Sequence, residues 1–130
     1  MKAKKLFKTY ERKNYQEMMS ILATTSTEQF QEMKAEEMTL LHHVAFDGNL
    51  EVLQMLKSLP YYKEIVDTDN NDQGWTPLLW AASNCDLNMI KALIESGAQP
   101  LKPKRDGATI LHISACTNDL RMLDYVYKLR

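Results

Sequence analysis

Five side chains of the kinds that bind transition metals are spread along this 130-residue chain. They are the imidazoles of His42, His43 and His112 and the thiols of Cys85 and Cys116. Protein zinc sites use such ligands, usually as closely spaced pairs. The two cysteines are 31 residues apart, and the chain contains no other cysteine to complete a pair. The spacing argues against zinc, and we expect the chain to hold no metal and no cofactor.

The carboxylates do not form a catalytic pattern either. Glu28, Glu32, Glu36 and Glu37 lie one to four residues apart on a predicted surface helix, where a solvated face is the commoner arrangement. The chain has no Gly-x-Ser-x-Gly segment, no His-Glu-x-x-His segment and no glycine loop of the kind that binds phosphate. The sequence therefore predicts no catalytic residue, and a protein that is not an enzyme.

Composition limits the partners that this chain is expected to bind. Sixteen basic and seventeen acidic residues leave a net charge of -1, which gives no electrostatic reason to expect nucleic acid. The basic segment 2–13 lacks the aromatic platform of single-strand binders. No apolar stretch reaches the roughly 18 residues of a membrane span, so membrane insertion is not expected. Two distant cysteines favour a reducing, cytoplasmic or nuclear setting.

Internal repetition organises the chain. Three segments align with one another: 39–45 (TLLHHVA), 76–82 (TPLLWAA) and 109–115 (TILHISA). The first two begin 37 residues apart and the last two 33 residues apart. Each is followed at a fixed offset by a second matching block, at 49–53, 86–90 and 119–123. Such paired matches indicate a repeat protein.

Each unit reads as two helices joined by a tight polar turn. An apolar stripe recurs at helical spacing, as at Leu87, Ile90, Leu93 and Ile94. Polar breaks such as 47–49 and 83–86 separate the helices. A unit of this size cannot bury its apolar face alone and must stack on its neighbours. The pattern predicts an all-α solenoid.

The segments Thr76-Pro77-Leu78, Ala81-Ala82, Leu111-His112 and Glu95-Ser96-Gly97-Ala98 resemble the ankyrin repeat, with its Thr-Pro-Leu-His-x-Ala signature and its Gly-Ala helix exit. The resemblance covers residues 36–130. It implies stacked helix-turn-helix units with short hairpin-like connecting loops. It also implies that His42 and His112 hydrogen-bond neighbouring turns rather than bind metal.

The resemblance divides residues 1–130 into one domain of four units. They are a degenerate N-terminal capping repeat (1–35), a repeat with an insertion (36–72), a regular repeat (73–105) and an incomplete C-terminal repeat (106–130). The insertion adds four residues within 58–67, where Pro60 is expected to end the helix. Residues 67–72 then read as an enlarged polar loop.

The resemblance also implies a partner-binding surface, formed by the concave side and the hairpin tips. Trp75 and Trp80, the only tryptophans, both fall on this side, and tryptophan is enriched among interface hot spots. Whether Trp80 is a core or a contact residue stays open at this point. The candidate partner-binding residues are Met38, His43, Phe46, Asp47, Trp75, Trp80, Ser83, Asn84, Arg105, Ile113 and Thr117.

The last unit shows no Gly-Ala exit after its second helix, and no polar capping unit follows it. Apolar side chains are therefore expected to lie open on a C-terminal face, with Tyr125, Val126 and Leu129 as its contact residues, joined by Ile113. A partner, a second copy of the chain or further repeats could cover this face.

These features predict a non-catalytic module that binds another protein, acting as an adaptor, an assembly chaperone or a structural subunit of a larger complex. The junction 72–77 (DQGWTP) is similar to gankyrin-type proteasome assembly chaperones. The alternative is a regulatory ankyrin segment of a longer enzyme or channel. Sequence beyond residue 130 with a catalytic or transmembrane block would favour that alternative.

Overall fold

A computed structural model describes residues 2–35, 38–68, 74–117 and 120–128, except for the side chain of Thr117. Within these ranges the chain forms helices and, apart from one isolated bridge between Ala35 and Met38, no β-structure. The helices are α1 (Lys2–Glu11), α2 (Tyr15–Ala23), α3 (Thr27–Glu32), α4 (Leu40–Asp47), α5 (Leu50–Leu56), α6 (Tyr62–Ile65), α7 (Pro77–Ser83), α8 (Leu87–Glu95), α9 (Ile110–Thr117) and α10 (Leu120–Lys128). The predicted all-α class is confirmed.

The helices pair into four hairpins, α1/α2, α4/α5, α7/α8 and α9/α10, which we call the first to fourth repeats. The first three share one turn, in which a left-handed residue precedes the cap of the second helix. The left-handed residues are Lys13, Gly48 and Cys85, with φ of 62°, 69° and 56°. The caps are Asn14, Asn49 and Asp86, and the side chain of each accepts a hydrogen bond from the backbone N–H three residues further on.

The N-terminal hairpin thus has the turn geometry of the second and third repeats, although its sequence match is faint. A positive φ is uncommon in residues other than glycine, so the hairpin imposes this conformation on Lys13 and Cys85. The boundaries of the four units, as drawn from the sequence, stay a prediction.

Close stacking of neighbouring first helices builds the core. Helix α4 packs against α7, and α7 packs against α9. The signature alanines Ala45 and Ala82 are fully buried, because their methyl side chains let adjacent helices approach closely. The third signature alanine, Ala115, is exposed.

A buried imidazole joins the second repeat to the third. His42 Nδ1 accepts a hydrogen bond of 3.2 Å from the backbone N–H of Thr39. His42 Nε2 lies 2.8 Å from the carbonyl oxygen of Trp75, 33 residues further on. A carbonyl can only accept, so Nε2 carries the proton and donates. The structural role predicted for His42 is confirmed by these bonds.

The insertion in the second repeat ties three repeats together through two tyrosines. Tyr61 Oη donates to the carbonyl of Leu22 at 2.8 Å, and the Tyr61 ring packs 6.1 Å from that of Phe30. Tyr62 Oη shares a hydrogen bond of 2.7 Å with Ser96 Oγ. The insertion therefore contacts both the preceding and the following repeat.

Two details of this region differ from the sequence prediction. Helix α5 ends at Leu56, four residues before Pro60, so the proline does not end it. The inserted residues also form helix α6, a helix that the sequence did not predict, because Ile65 and Val66 are buried in the core. Of the predicted loop 67–72, residues 69–72 lie outside the described part of the chain.

Replacing His42 by leucine should destabilise the protein by about 1–3 kcal/mol, because the buried N–H of Thr39 and the partly buried carbonyl of Trp75 each lose a hydrogen bond to the imidazole. His112 provides the matched control, since it makes the same short-range bond but is exposed to water. His112→Leu should change the free energy of unfolding by less than about 0.5 kcal/mol. Urea unfolding followed by circular dichroism measures both, and equal losses would show that the link to Trp75 is unimportant.

Alkaline pH should weaken the fold through its buried phenols. Burial raises the pKa of Tyr61 to about 12 and also raises the pKa of Tyr62. Burial and the hydrogen bond to Asp47 raise the pKa of Tyr10. Unfolded tyrosines ionise near pH 10, so above about pH 10 the unfolded chain binds fewer protons than the folded one. The contribution of these tyrosines to the free energy of unfolding should therefore be constant below about pH 10 and fall as pH rises towards the folded pKa values.

The matched variant for this pH effect is Tyr61→Phe, which keeps the ring but cannot ionise. Its unfolding free energy, measured in urea from about pH 8 to about pH 12, should fall less steeply than that of the wild type. Identical slopes would show that Tyr61 ionises normally in the folded protein.

Candidate functional site

Three aromatic rings from two adjacent repeats form one continuous cluster, which we call the aromatic surface. Trp80 on α7 is at its centre. The Trp75 ring stacks on it with centroids 4.6 Å apart and planes inclined by 25°. Phe46, near the end of α4, meets Trp80 edge to face at 5.4 Å. Phe46 is 43% exposed, and both tryptophans are partly exposed, so the cluster faces solvent.

A lysine from the following hairpin tip covers part of this surface. Lys104 Nζ lies 5.3 Å from the centroid of the Trp75 ring, within the range of a cation–π interaction. The same ammonium donates to Asp106 Oδ2 at 2.6 Å, and this bond lowers the pKa of the Asp106 carboxyl. The lysine is therefore held by both an anion and an aromatic face.

Gly74 lets the two hairpin tips meet. Its φ is +78°, and a Cβ at this position would lie 3.0 Å from the backbone nitrogen of Arg105. A larger residue would both be strained and push the next tip away from Trp75. The position of Lys104 thus depends on the glycine next to the tryptophan.

Trp80 is partly buried between the repeats and partly open to solvent. Its Nε1 atom is buried and makes no hydrogen bond in the described structure, while part of its ring remains open to solvent. An unpartnered buried donor costs roughly 1–3 kcal/mol relative to a satisfied one. The ring is held there by its contacts with Phe46 and Trp75 rather than by its polar atom.

Other predicted contact residues make hydrogen bonds within the chain. His43 Nε2 bonds to the carbonyl of Ala35 at 2.8 Å, and its ring packs edge to face on Phe7. Asp47 accepts a 2.8 Å bond from Tyr10.

Two more such residues surround the aromatic surface. Asn84 Nδ2 donates to the carbonyl of Phe46 at 2.6 Å, and Ser83 Oγ donates to the carbonyl of Trp80. The bond from Asn84 crosses between repeats and fixes the backbone that carries Phe46. Met38 is partly exposed at the bridge to Ala35, and Arg105 is exposed.

Two predictions about exposed residues are wrong. Ile113 was expected to be open to a partner, and Val126 was expected to lie on an open C-terminal face. Ile113 is only 9% exposed and Val126 only 1%. Helix α10 is amphipathic and turns Met122 and Val126 inwards against α9. Tyr125 is partly buried, with Lys91 Nζ 5.4 Å from its ring centroid. Leu129 and the side chain of Thr117 lie outside the described residues.

The sequence marks Lys102, Lys104 and Arg105 as a basic hairpin tip, of which only Arg105 is among the candidate partner-binding residues. The contact between Lys104 and the Trp75 ring was not predicted. The register of the repeats could have indicated this contact, because it places the hairpin tip of one repeat beside the hairpin tip of the next.

The described residues also contain an open cleft of about 710 Å³, away from the three aromatic rings. It is lined by Glu28, Gln31, Glu32, Lys34, Glu64, Asp67, Thr68 and Lys102. Within the described ranges no three His, Cys, Asp or Glu side chains are grouped to hold a metal ion, and Cys85 and Cys116 are free and exposed. No helix in those ranges has the length and apolar character needed to cross a membrane.

Comparison with known proteins agrees with the repeat architecture. A family model described as ankyrin repeats, in three copies, matches residues 7–104 and 59–129. Palmitoyltransferase AKR1 of Lachancea kluyveri is 30% identical over 95 residues, which cover 70% of this chain and 12% of that protein. The chain therefore corresponds to a small part of this relative.

The unpartnered Nε1 atom makes Trp80 tolerant of one substitution. Trp80→Phe keeps an aromatic ring against Phe46 and removes a donor that bonds to nothing, so the unfolding free energy should fall by less than about 1.5 kcal/mol. Trp80→Ala opens a cavity between repeats and should cost about 3 kcal/mol. Urea unfolding distinguishes the two, and equal losses would mean that the indole nitrogen contributes to stability.

Proposed function

The chain belongs to the ankyrin-repeat family, and we propose that it is a non-catalytic module that binds another protein through the aromatic surface. Ankyrin repeats mediate protein–protein binding and are typically non-catalytic. What the family does not specify is the surface, which must be argued from the side chains.

The aromatic surface itself carries the proposal. Large aromatic side chains contribute disproportionately to binding energy when a partner desolvates them. Here Phe46 and Trp75 flank Trp80, and all three retain exposed area on one side of two stacked repeats.

Rigidity adds to this proposed role. The backbone of Phe46 is held by Asn84, and the carbonyl of Trp75 by His42. A partner would meet side chains that are already ordered, so little conformational entropy would be lost on binding.

We further propose that the protein acts as an adaptor, an assembly chaperone or a structural subunit, in the cytoplasm or nucleus. The two free cysteines are compatible with a reducing compartment. The gankyrin-like junction 72–77 favours the chaperone role, although it covers only one turn of the chain.

A regulatory ankyrin segment of a longer enzyme is the second candidate. The observation that favours it is the matching relative, which is named a palmitoyltransferase and of which this chain covers 12%. The two candidates differ in the size of the cellular polypeptide. Immunoblotting with an antibody against this chain would support the second candidate if the detected protein were several times larger than 15.1 kDa.

The binding surface can be tested by affinity capture with quantitative mass spectrometry. Phe46→Ala and Trp75→Ala should each deplete the same captured protein, with affinity for the purified partner reduced roughly tenfold, a cost of about 1.4 kcal/mol. Phe46 is exposed, so its removal should change stability by less than about 1 kcal/mol.

Tyr127→Ala is the matched control, because it removes an exposed aromatic ring, 63% accessible, from α10. This variant should capture the partner as the wild type does. Circular dichroism and thermal melting of all three variants establish that the fold is retained. Equal capture by the wild type, Phe46→Ala and Trp75→Ala would contradict the proposed surface.

A further inference from the structure

One polar atom inside the aromatic surface lacks a hydrogen-bond partner. Trp80 Nε1 is buried, and no group in the described part of the chain accepts its hydrogen. Because the atom is buried, bulk water does not reach it either. Buried donors in native proteins are nearly always hydrogen-bonded, so this indole N–H requires an explanation. Binding through the exposed aromatic area alone leaves it unused.

The polar side chains beside Phe46 bond elsewhere. The Asn84 side-chain amide donates to the carbonyl of Phe46 at 2.6 Å. The carboxylate of Asp47 accepts a hydrogen bond of 2.8 Å from Tyr10 Oη. Neither group bonds to the indole of Trp80. An acceptor for this indole therefore has to come from outside the residues that the structure describes.

The ring that meets the Trp80 indole edge to face is the most exposed of the three in the aromatic surface. Phe46 is 43% exposed, and its ring centroid lies 5.4 Å from that of Trp80. Its backbone is fixed by the bond from Asn84, so the ring moves by rotation about its own side-chain bonds. Such rotamer changes are common when a protein partner binds. The buried donor thus lies beside an exposed ring that a partner can displace.

The neighbouring hairpin tip gives the rim of the aromatic surface a positive charge. Residues 102–107 contain three basic side chains and one acidic one, which leaves a net charge of +2. Lys104 Nζ lies 5.3 Å from the centroid of the Trp75 ring, and Arg105 is exposed. The carboxylate of Asp106 already accepts from Lys104 and from a backbone N–H. The tip therefore attracts an anionic group to the edge of the aromatic surface.

We propose that the partner presents an apolar segment that carries a carboxylate, and that this carboxylate accepts a hydrogen bond from Trp80 Nε1. In the complex the Phe46 ring turns aside and packs on the apolar part of the segment, while the basic tip faces its negative charge. The inference rests on the proposed function, because it specifies the chemistry of the partner at the aromatic surface. Trp80 determines specificity in this arrangement, since a segment without an acceptor leaves its donor unpaired in the complex.

A cationic ligand fits the same surface poorly. Aromatic rings attract ammonium groups through their faces, but Lys104 already lies over the Trp75 ring. The stack of Trp75 on Trp80 closes the sides of the two indoles that face each other. An ammonium group only donates hydrogen bonds, so it offers no acceptor to Trp80 Nε1. The positive tip would also repel it.

Selection from a phage-displayed library of random peptides on the immobilised 130-residue chain tests the inference. Peptides that lose binding to Phe46→Ala should combine an apolar residue with aspartate or glutamate. Their affinity for Trp80→Phe should fall roughly tenfold, because phenylalanine keeps a ring but cannot donate. Trp75→Phe is the matched control, since it also removes an indole but leaves the buried donor in place, and it should change the affinity less than about threefold.

A double-mutant cycle locates the hydrogen bond. Replacing the carboxylate residue of a selected peptide by leucine should weaken binding to the wild type roughly tenfold and leave binding to Trp80→Phe nearly unchanged. In ¹⁵N-labelled protein, the indole proton of Trp80 should shift downfield when the acidic peptide is added and not when the leucine peptide is added. Circular dichroism of each variant establishes that the fold is retained.

The possible failures are distinguishable. Peptides that depend on Phe46 but bind Trp80→Phe as tightly as the wild type, or that are enriched in lysine and arginine, would overturn the inference and leave the aromatic surface as a binding site. A selection in which no peptide depends on Phe46 or Trp75 would count against the proposed function, and the inference would fail with it.

Discussion

The side chains on the rear of each repeat are buried by the repeat that follows, and the rest of the structure depends on this. Ala45 and Ala82 are fully enclosed at this boundary, whereas Ala115, in the same place on the fourth repeat, is exposed. A helical hairpin of this size has one apolar stripe on each helix and cannot enclose both by itself. Stability is consequently shared between neighbours, and the bond from His42 to the carbonyl of Trp75 fixes the register in which they meet.

The same stacking explains why the two tryptophans are neither wholly buried nor wholly free. Trp80 projects from α7 into the junction with α4, where Phe46 covers its edge and its Nε1 atom loses contact with water. Trp75 precedes α7 and lies on top of it, beneath Lys104. A solenoid places one such position per repeat along the same side. The corresponding residues are His43, Trp80 and Ile113, of which the first two are partly exposed. Their chemistry differs, and among these three positions only that of the third repeat carries an indole ring.

Much of this structure could be predicted from the sequence, because the relevant physics is periodic. The helical hairpins follow from the repeat spacing, whereas the structural role of His42 and the shared side of Trp75 and Trp80 are implied by the resemblance to ankyrin repeats. Helix α6 could not be predicted in this way, since an insertion has no counterpart in the other repeats. Its formation depends on contacts of Tyr61 and Tyr62 with residues at least 34 positions away. The stacking geometry of the tryptophans and the position of Lys104 also depend on such tertiary contacts.

The error at the C-terminal end has a different origin. Val126 and Ile113 are apolar and lie in the last unit, which no capping unit was expected to follow, and Ile113 also occupies the variable position of the signature. Comparison by position rather than by residue type corrects this. Val126 faces α9 within its own hairpin, while Leu111 and Leu123 occupy columns that only a following repeat can cover.

Position also distinguishes the two ends of the stack. At the N-terminal end of the stack, the positions that later repeats fill with buried apolar residues are occupied by the Lys5–Glu17 ion pair, whose charged groups favour contact with water. At the C-terminal end of the stack, the corresponding positions are occupied by leucine, alanine and the imidazole of His112, whose Nε2 lacks an acceptor among the described residues. Covering the apolar end is favourable when the covering groups also accept a hydrogen bond from the imidazole. Covering the charged end is unfavourable, because it removes the ion pair from water. The two ends of the described stack therefore differ in charge and in apolar character.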